Sequence, residues 1–409
     1  MSIEPFLNVR SEIGKLKAVL LHKPGRELER LTPQYLHELL FDDIPWLRKM
    51  REEHDKFADV LRQKGCEVYY YNELLEEILK NDEVKKSLIS DVLNICNIGN
   101  ENLEQIIKEF ILNKSEAEIA EILIAGLHKK DFPEIEREKS LIDYIKEEYP
   151  FYINPLPNLY FTRDPGAVIG NGLLVNSMKT PARDRETMIL RYIYEYHPLF
   201  KKEVSPLWYD YTSPYSIEGG DILVLSDEVI AVGCSERTSA RAIEILANNL
   251  FSKDEKIKKV LAIQIPFTRV YMHLDTVFTM IDYDKFTIYP GIENKIKVFE
   301  LTPNSKDYPK VRPMGTLKNS LKEALKLPSI QLIQSGGGDD ITAAREQWND
   351  STNTLAIAPG VVVTYDRNEV TNNTLRKHGI EVVEIAGSEL VRGRGGPRCM
   401  SMPLVRENI

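Results

Sequence analysis

One of the four cysteines stands where a nucleophile would be useful. Cys399 lies in the run Gly393-Arg394-Gly395-Gly396-Pro397-Arg398-Cys399-Met400-Ser401. The thiolate is the reactive form, and a free thiol with a pKa of about 8.5 supplies only a few per cent of it at neutral pH. Arg394 and Arg398 are therefore expected to favour the thiolate, and the glycines to let the backbone approach a ligand closely. Cys66, Cys96 and Cys234 sit in apolar or helical surroundings and read as structural. His273 is followed two positions on by Asp275. On a strand these two side chains would share a face, a pairing that suits a general acid and base.

Two acidic motifs complete the set: Glu218-Gly219-Gly220-Asp221, and Asp164 at the end of Asn158-Leu159-Tyr160-Phe161-Thr162-Arg163-Asp164-Pro165. Gly-Gly and Asp-Pro also mark ordinary turns. A metal site built from His273, Asp275, Glu218 and Asp164 competes with the acid–base reading, although no His-x-His or Glu-x-x-His spacing favours it. Gly393-x-Gly395 does not read as a dinucleotide fingerprint, because Pro397 and Pro403 interrupt any following helix. Gly336-Gly337-Gly338 lacks the Gly-Lys-Ser/Thr ending of a phosphate loop.

The elements that must hold these residues fall into three zones. Residues 1–71 combine a strand-like stretch at 16–22, a helical stretch at 46–64 and a second strand-like stretch at 66–71. Residues 72–149 are rich in Leu, Ile, Glu and Lys with helical apolar spacing, as in 103–111 and 117–127, and read as short amphipathic helices in a bundle. From 150 onward, short β-rich segments alternate with Gly, Pro, Asn and Asp. Two stretches, 222–250 and 355–385, share the order strand, tight turn, strand, helix. Such recurrence predicts a repetitive, pseudo-symmetric α/β architecture with the helical zone inserted into it.

The whole chain has 409 residues, 43% of them hydrophobic and 28% charged, an ordinary globular composition with enough length for a large core. A formal net charge of −9 gives no footprint for nucleic acid. Apolar runs such as 260–265 and 355–363 are too short to span about 30 Å of hydrocarbon. The start, Met1-Ser2-Ile3-Glu4-Pro5, lacks a secretory pattern, and the isolated cysteines form no disulfide or zinc framework. A cytoplasmic protein is expected, without membrane or nucleic-acid partners.

In order along nearly the whole chain, the stretches 158–164, 181–187, 216–221, 235–238, 273–276 and 394–403 resemble the arginine deiminases of the guanidine-modifying superfamily. Further similarity lies in 11–25 and 344–368. The resemblance implies a five-bladed, pseudo-symmetric α/β propeller of the pentein type, formed by residues 1–71 and 150–409. It also implies an inserted α-helical bundle domain at 72–149. The activity it implies is hydrolysis of free L-arginine to L-citrulline and ammonia, the first step of arginine catabolism, with no cofactor and no metal, in a homodimer or homotetramer.

By the same resemblance Cys399 is the nucleophile that forms a thiouronium intermediate, and His273 is the acid and base. Asp164 and Asp275 bind the guanidinium, and Glu218 lies beside it and His273. Arg183, Arg237 and Arg394 are placed near the substrate carboxylate, with Asn158 and the Gly393 backbone, while Phe161 packs beside the guanidinium or its stem. Arg394, in its glycine-rich loop, is expected to move with a lid. Some relatives carry a histidine where Arg398 precedes the cysteine, which alters the local electrostatics. An amidinotransferase or a methylarginine hydrolase shares the Cys, His and carboxylate set, but the helical insertion and Arg183, Arg237 and Arg394 favour the free-arginine deiminase. The intact Cys399, His273, Glu218, Asp164 and Asp275 argue against a silent arginine binder on the same scaffold.

Overall fold

A computed structural model describes residues 4–96, 98–133, 149–304 and 308–409. Its strands are short and recur in one pattern: an antiparallel pair, a helix, and a third strand parallel to the second. The stretch 222–264 shows how the residues dictate it. Ile222–Val224 and Val229–Cys234 are apolar and almost wholly buried, so they pair inside the protein. Between them Ser226 Oγ accepts the backbone N–H groups of Glu228 and Val229 at 3.3 and 3.1 Å, closing a tight turn.

Helix Ala240–Lys253 then begins at Ser239, whose hydroxyl accepts the Ala242 N–H at 3.3 Å and satisfies one otherwise orphaned donor. Ala242, Ile243, Leu246, Ala247 and Leu250 form its buried face. The chain returns as Lys259–Gln264, parallel to Val229–Cys234 with Val260 opposite Ile230. A parallel return needs a crossover of a dozen or more residues, which the helix supplies.

Four other units repeat this order. Gly166–Ile169, Gly172–Val175 and Leu207–Tyr209 surround helix Asp184–Tyr196; Phe278–Met280, Lys285–Ile288 and Gln331–Gln334 surround helix Leu317–Leu325. Leu355–Ala358, Val361–Tyr365 and Glu381–Ile385 surround helix Glu369–Lys377. The remaining unit joins Met402–Arg406 to Leu16–Leu21 and Glu67–Tyr70 around helix Leu47–Gln63. Two extra strands, Lys297–Thr302 and Lys310–Pro313, extend the sheet of the 222–264 unit. The protein is thus of the α/β class.

The expected helical zone contains helices Tyr71–Leu79, Asp82–Cys96, Glu101–Leu112 and Glu116–Ala125; its later part, 134–148, lies outside the described residues. Asn100 caps the third helix, and Ser115 with Glu118 forms a capping box on the fourth. Their buried faces, including Leu75, Leu88, Ile107 and Leu123, run into the same apolar cluster as Ile189 and Ile193 of helix Asp184–Tyr196. Each such Leu or Ile adds about 1.5–3 kcal/mol by leaving water. Among the described residues no helix is long and apolar enough to cross a membrane.

One feature of this repetition positions the chemistry. The segment leading into the first strand of every unit is irregular or a single 3₁₀ turn. Pro157–Tyr160 and the residues after it lead to Gly166; Gly219–Asp221 leads to Ile222; Leu274–Thr276 leads to Phe278. Residues 350–354 lead to Leu355, and residues 394–401 follow the turn Leu390–Gly393 and lead to Met402.

Candidate active site

Hydrogen bonds tie these five leading segments into a closed chain. Arg163 N–H donates to Cys399 O, Gly219 N–H to Asp164 O, and Leu274 N–H to Asp221 Oδ1. Thr352 Oγ1 donates to Thr276 O, and Cys399 N–H to Asn353 Oδ1. Polar groups buried this deeply need partners, so the bonds fix the segments against one another. Between them is a small cavity of about 30 Å³ whose lining includes Asn158, Phe161, Asp164, Arg183, Arg237, His273, Gly393, Arg394 and Cys399. These are nine of the eleven residues expected from the sequence to form the site; the other two, Glu218 and Asp275, are buried directly behind the lining.

Asp164 and Asp275 are held in matching ways. Asp164 Oδ2 accepts from Arg183 Nη1 at 2.6 Å, and Asp275 Oδ2 accepts from Arg398 Nη1 at 2.7 Å. The other oxygen of each, Oδ1, is buried without a hydrogen-bond partner. A buried, unpaired carboxylate oxygen is costly, and two of them beside one cavity are acceptors awaiting donors. A planar cation with several N–H groups meets that demand.

His273 Nε2 is 2.7 Å from Glu218 Oε2, and its Nδ1 is 3.8 Å from Asp164 Oδ1. Burial alone would lower its pKa, but Asp164 and the bond to Glu218 raise it to about 9, so the ring is a cation at neutral pH. Glu218 goes the other way. Burial opposes its ionisation, yet Arg237, 3.6 Å from Oε2, and His273 bring it down to about 2. The pair is an imidazolium–carboxylate pair, with a proton to give.

His273 and Asp275 do not share a strand face, contrary to the sequence expectation. Leu274–Thr276 is a 3₁₀ turn, and the strand starts only at Phe278. Side-chain bonds, one from the preceding unit and one local, win over the strand here: Asp221 Oδ1 accepts the Leu274 N–H at 2.8 Å, and Thr276 Oγ1 donates to His273 O at 2.8 Å. Asp221 is itself wholly buried, and burial raises its pKa to about 7. The turn leaves the His273 ring against Gly220, where a Cβ would fall 2.7 Å from ring atoms Cγ and Nδ1.

Cys399 also departs from expectation. Burial and the negative charges of Asp275, Asp164 and Asp350 push its thiol well up, and Arg398 opposes them only in part. The arginines of its loop therefore do not hold a resting thiolate. Arg398 turns instead to Asp275 and Glu12, and the Arg394 guanidinium lies 3.5 Å over the exposed Trp348 ring. Arg394 adopts φ +65°, a left-handed conformation that non-glycine residues rarely take, and its Nε is buried without a partner.

The remaining polar residues are engaged at once. Arg183 also bonds Glu186 at 2.7 Å, Asn158 Nδ2 donates to Leu39 O at 2.8 Å, and Arg237 Nη2 contacts Met272 sulfur at 3.7 Å. The Phe161 ring lies tilted by 34° against Tyr160, with centroids 3.9 Å apart, and abuts Gly395, where a Cβ would meet the ring at 2.2 Å. Asp164, Glu218 and His273 each offer one ligand atom within 4.8 Å of the others, so a divalent cation has a donor set here. Sequence reasoning missed Glu12 and Asn353 in this arrangement and saw Asp221 only as part of a glycine motif. Each acts by contacts across the fold, which no local spacing encodes.

A profile of the arginine deiminase family matches residues 37–406. The chain is 51% identical over 407 residues to the arginine deiminase of Bacillus cereus (strain ATCC 10987 / NRS 248), covering 98% of this chain and 99% of that one. An amidinotransferase from Microseira wollei superposes with a TM-score of 0.56 at 12% identity, over 99% of this chain and 98% of its own. AgrE, solved with ornithine and NAD+, superposes with a TM-score of 0.55 at 14% identity over 96% of this chain, which spans only 40% of AgrE. At such identities the two superpositions report a shared α/β fold and nothing of chemistry.

Proposed function

The chain belongs to the arginine deiminase family, and from that premise we propose that it hydrolyses free L-arginine to L-citrulline and ammonia through a covalent intermediate on Cys399. The pair of unpaired aspartate oxygens, Asp164 Oδ1 and Asp275 Oδ1, is the observation that carries the reading. They accept N–H groups of the substrate guanidinium and keep it cationic. Anions, rather than an oxyanion hole, suit a reaction whose transition state keeps positive charge while the planar carbon becomes tetrahedral.

The substrate cation brings the charge that the Cys399 thiol lacks beforehand, so binding favours the thiolate and the thiol proton passes to solvent. The thiolate attacks the guanidinium carbon, and a C–S bond forms. His273 gives its proton to the leaving nitrogen, the C–N bond breaks and ammonia departs, leaving an S-alkylthiouronium. Neutral His273 then takes a proton from water as that oxygen bonds to the carbon. Collapse of the adduct breaks the C–S bond and returns the thiolate, and the hydroxyl proton is lost to solvent, where ammonia takes one up, as citrulline is released. Glu218 holds His273 in place through both steps.

At the other end of the substrate, Arg183, Arg237 and Arg394 receive the α-carboxylate, with Asn158 and the Gly393 backbone, and Phe161 packs on the aliphatic stem. Arg394 reaches the substrate carboxylate by leaving Trp348; its strained backbone and glycine neighbours make it the mobile member. The same reading arranges the five repeated units as a pseudo-symmetric five-bladed propeller (1–71 and 150–409) with 72–149 as a helical insertion. The closed chain of bonds among the leading segments supports that arrangement. The enzyme works in the cytoplasm as a homodimer or homotetramer, needing neither metal nor cofactor.

Citrulline and ammonia release from arginine in EDTA, beside the Cys399→Ala variant, tests the proposal. Equimolar products from the parent and none from the variant are expected. Product only when an acceptor amine is added would replace hydrolysis with amidino transfer.

A further inference from the structure

Glu12 lies outside the cavity, but it is buried and tied to the site by charge. Its backbone N–H donates to Val224 O at 2.6 Å, and its Oε1 accepts the Val224 N–H at 3.0 Å, so both ends of the residue are pinned to one strand. Its Oε2 accepts from Arg398 Nε at 3.3 Å and Nη2 at 3.2 Å. Arg398 Nη2 also donates to Ile222 O at 2.7 Å, which leaves Nη1 to reach Asp275 Oδ2.

A guanidinium meeting a lone carboxylate tends to take both oxygens through two parallel N–H bonds. Arg398 does not do so with Asp275, because its Nε/Nη2 edge is already occupied by Glu12. We propose that Glu12 is a positioning residue for arginine hydrolysis: by holding one edge of Arg398 it restricts Arg398 to a single oxygen of Asp275 and keeps Asp275 Oδ1 free for the substrate guanidinium. Without Glu12, Arg398 would turn its fork onto Asp275 and consume the acceptor that arginine needs. The inference rests on arginine being the substrate.

The experiment introduces Glu12→Gln into two backgrounds, the parent and Arg398→Lys, since lysine is a point donor that cannot take both oxygens at once. The readouts are KM, kcat and circular dichroism, with calorimetric Kd for arginine in the Cys399→Ala forms. In the parent background E12Q should raise KM and Kd by about tenfold with the fold intact, the size of effect expected for one lost charge-assisted contact. In the R398K background the same substitution should change either constant by less than about twofold. Equal losses in the two backgrounds, or none in the parent, would overturn the proposal. Should E12Q alone not fold, the comparison of R398K with E12Q/R398K still decides, a large further loss there counting against it. Parent protein that binds arginine without releasing citrulline would instead overturn the hydrolytic reading and leave the binding comparison standing.

Discussion

The Cys399 sulfur lies 3.9 Å from Asp275 Oδ2, so the thiol that must ionise faces a carboxylate that discourages it. This contact makes a counterintuitive prediction. Asp275→Asn should raise the rate of iodoacetamide alkylation of Cys399 at pH 7 by about tenfold, because removing a nearby anion lowers the thiol pKa and enlarges the thiolate fraction. The same variant should lose turnover by about 10²-fold or more, because the guanidinium loses a binding anion. Slower alkylation in the variant would show that Asp275 does not govern the thiol.

His273 sets the alkaline side of the pH profile. Its pKa is raised from 6.5 to about 9, so the proton donor is present below that value and kcat/KM should fall as pH rises through about 9. Stability follows the same sign. A raised folded pKa contributes stability that is complete below about 6.5 and is lost as pH climbs through about 9. Melting temperature followed from pH 6 to 10 should therefore drop less in His273→Gln than in the parent. A parallel drop in both would remove His273 as the cause.

Gly220 has no room for a side chain. Gly220→Ala would place a methyl group 2.7 Å from the His273 ring, and backbone and ring cannot both stay where they are. The expected result is at least about a tenfold fall in kcat, since small misplacements of a reacting group are costly. Circular dichroism should remain native; retention of full kcat would show that the ring position is not critical.

Glu53 anchors the segment before the glycine-rich loop. From helix Leu47–Gln63 its carboxylate accepts the N–H and Oγ of Ser388 at 3.2 and 2.6 Å and the N–H groups of Glu389 and Leu390 at 2.9 and 3.1 Å. Glu53→Ala would strip the partner from these donors and cost about 3 kcal/mol in urea unfolding. KM for arginine should rise as well, because the freed segment runs directly into Arg394. Unchanged stability would mean that water replaces the carboxylate without loss.

Much of this was legible in the chain because each unit encodes itself locally. Alternating apolar strands, Ser226 at a turn and Ser239 at a helix start mark the 222–264 unit without reference to anything distant. Cys399, His273, Glu218 and Asp164 could be singled out by residue type and by their glycine or proline neighbours. What stayed hidden depends on contacts between units. The turn at His273 is imposed by Asp221, from the preceding unit; the raised Cys399 thiol comes from burial and from three carboxylates on other segments; and Arg398, which looked like a cation for the thiolate, is claimed by Glu12. The Trp348 ring under Arg394 gave no signal, since an aromatic residue on a helix more often serves a core.

Glu12 and Arg398 stand 386 positions apart, and the strand following Cys399 pairs with Leu16–Leu21. On a ribosome the early member of each pairing must wait, exposed, until almost everything else has been made. Contacts of such long range also make the last joining step slow. Until it occurs, the edge of Leu16–Leu21 awaiting Met402–Arg406 is open to pairing with another chain.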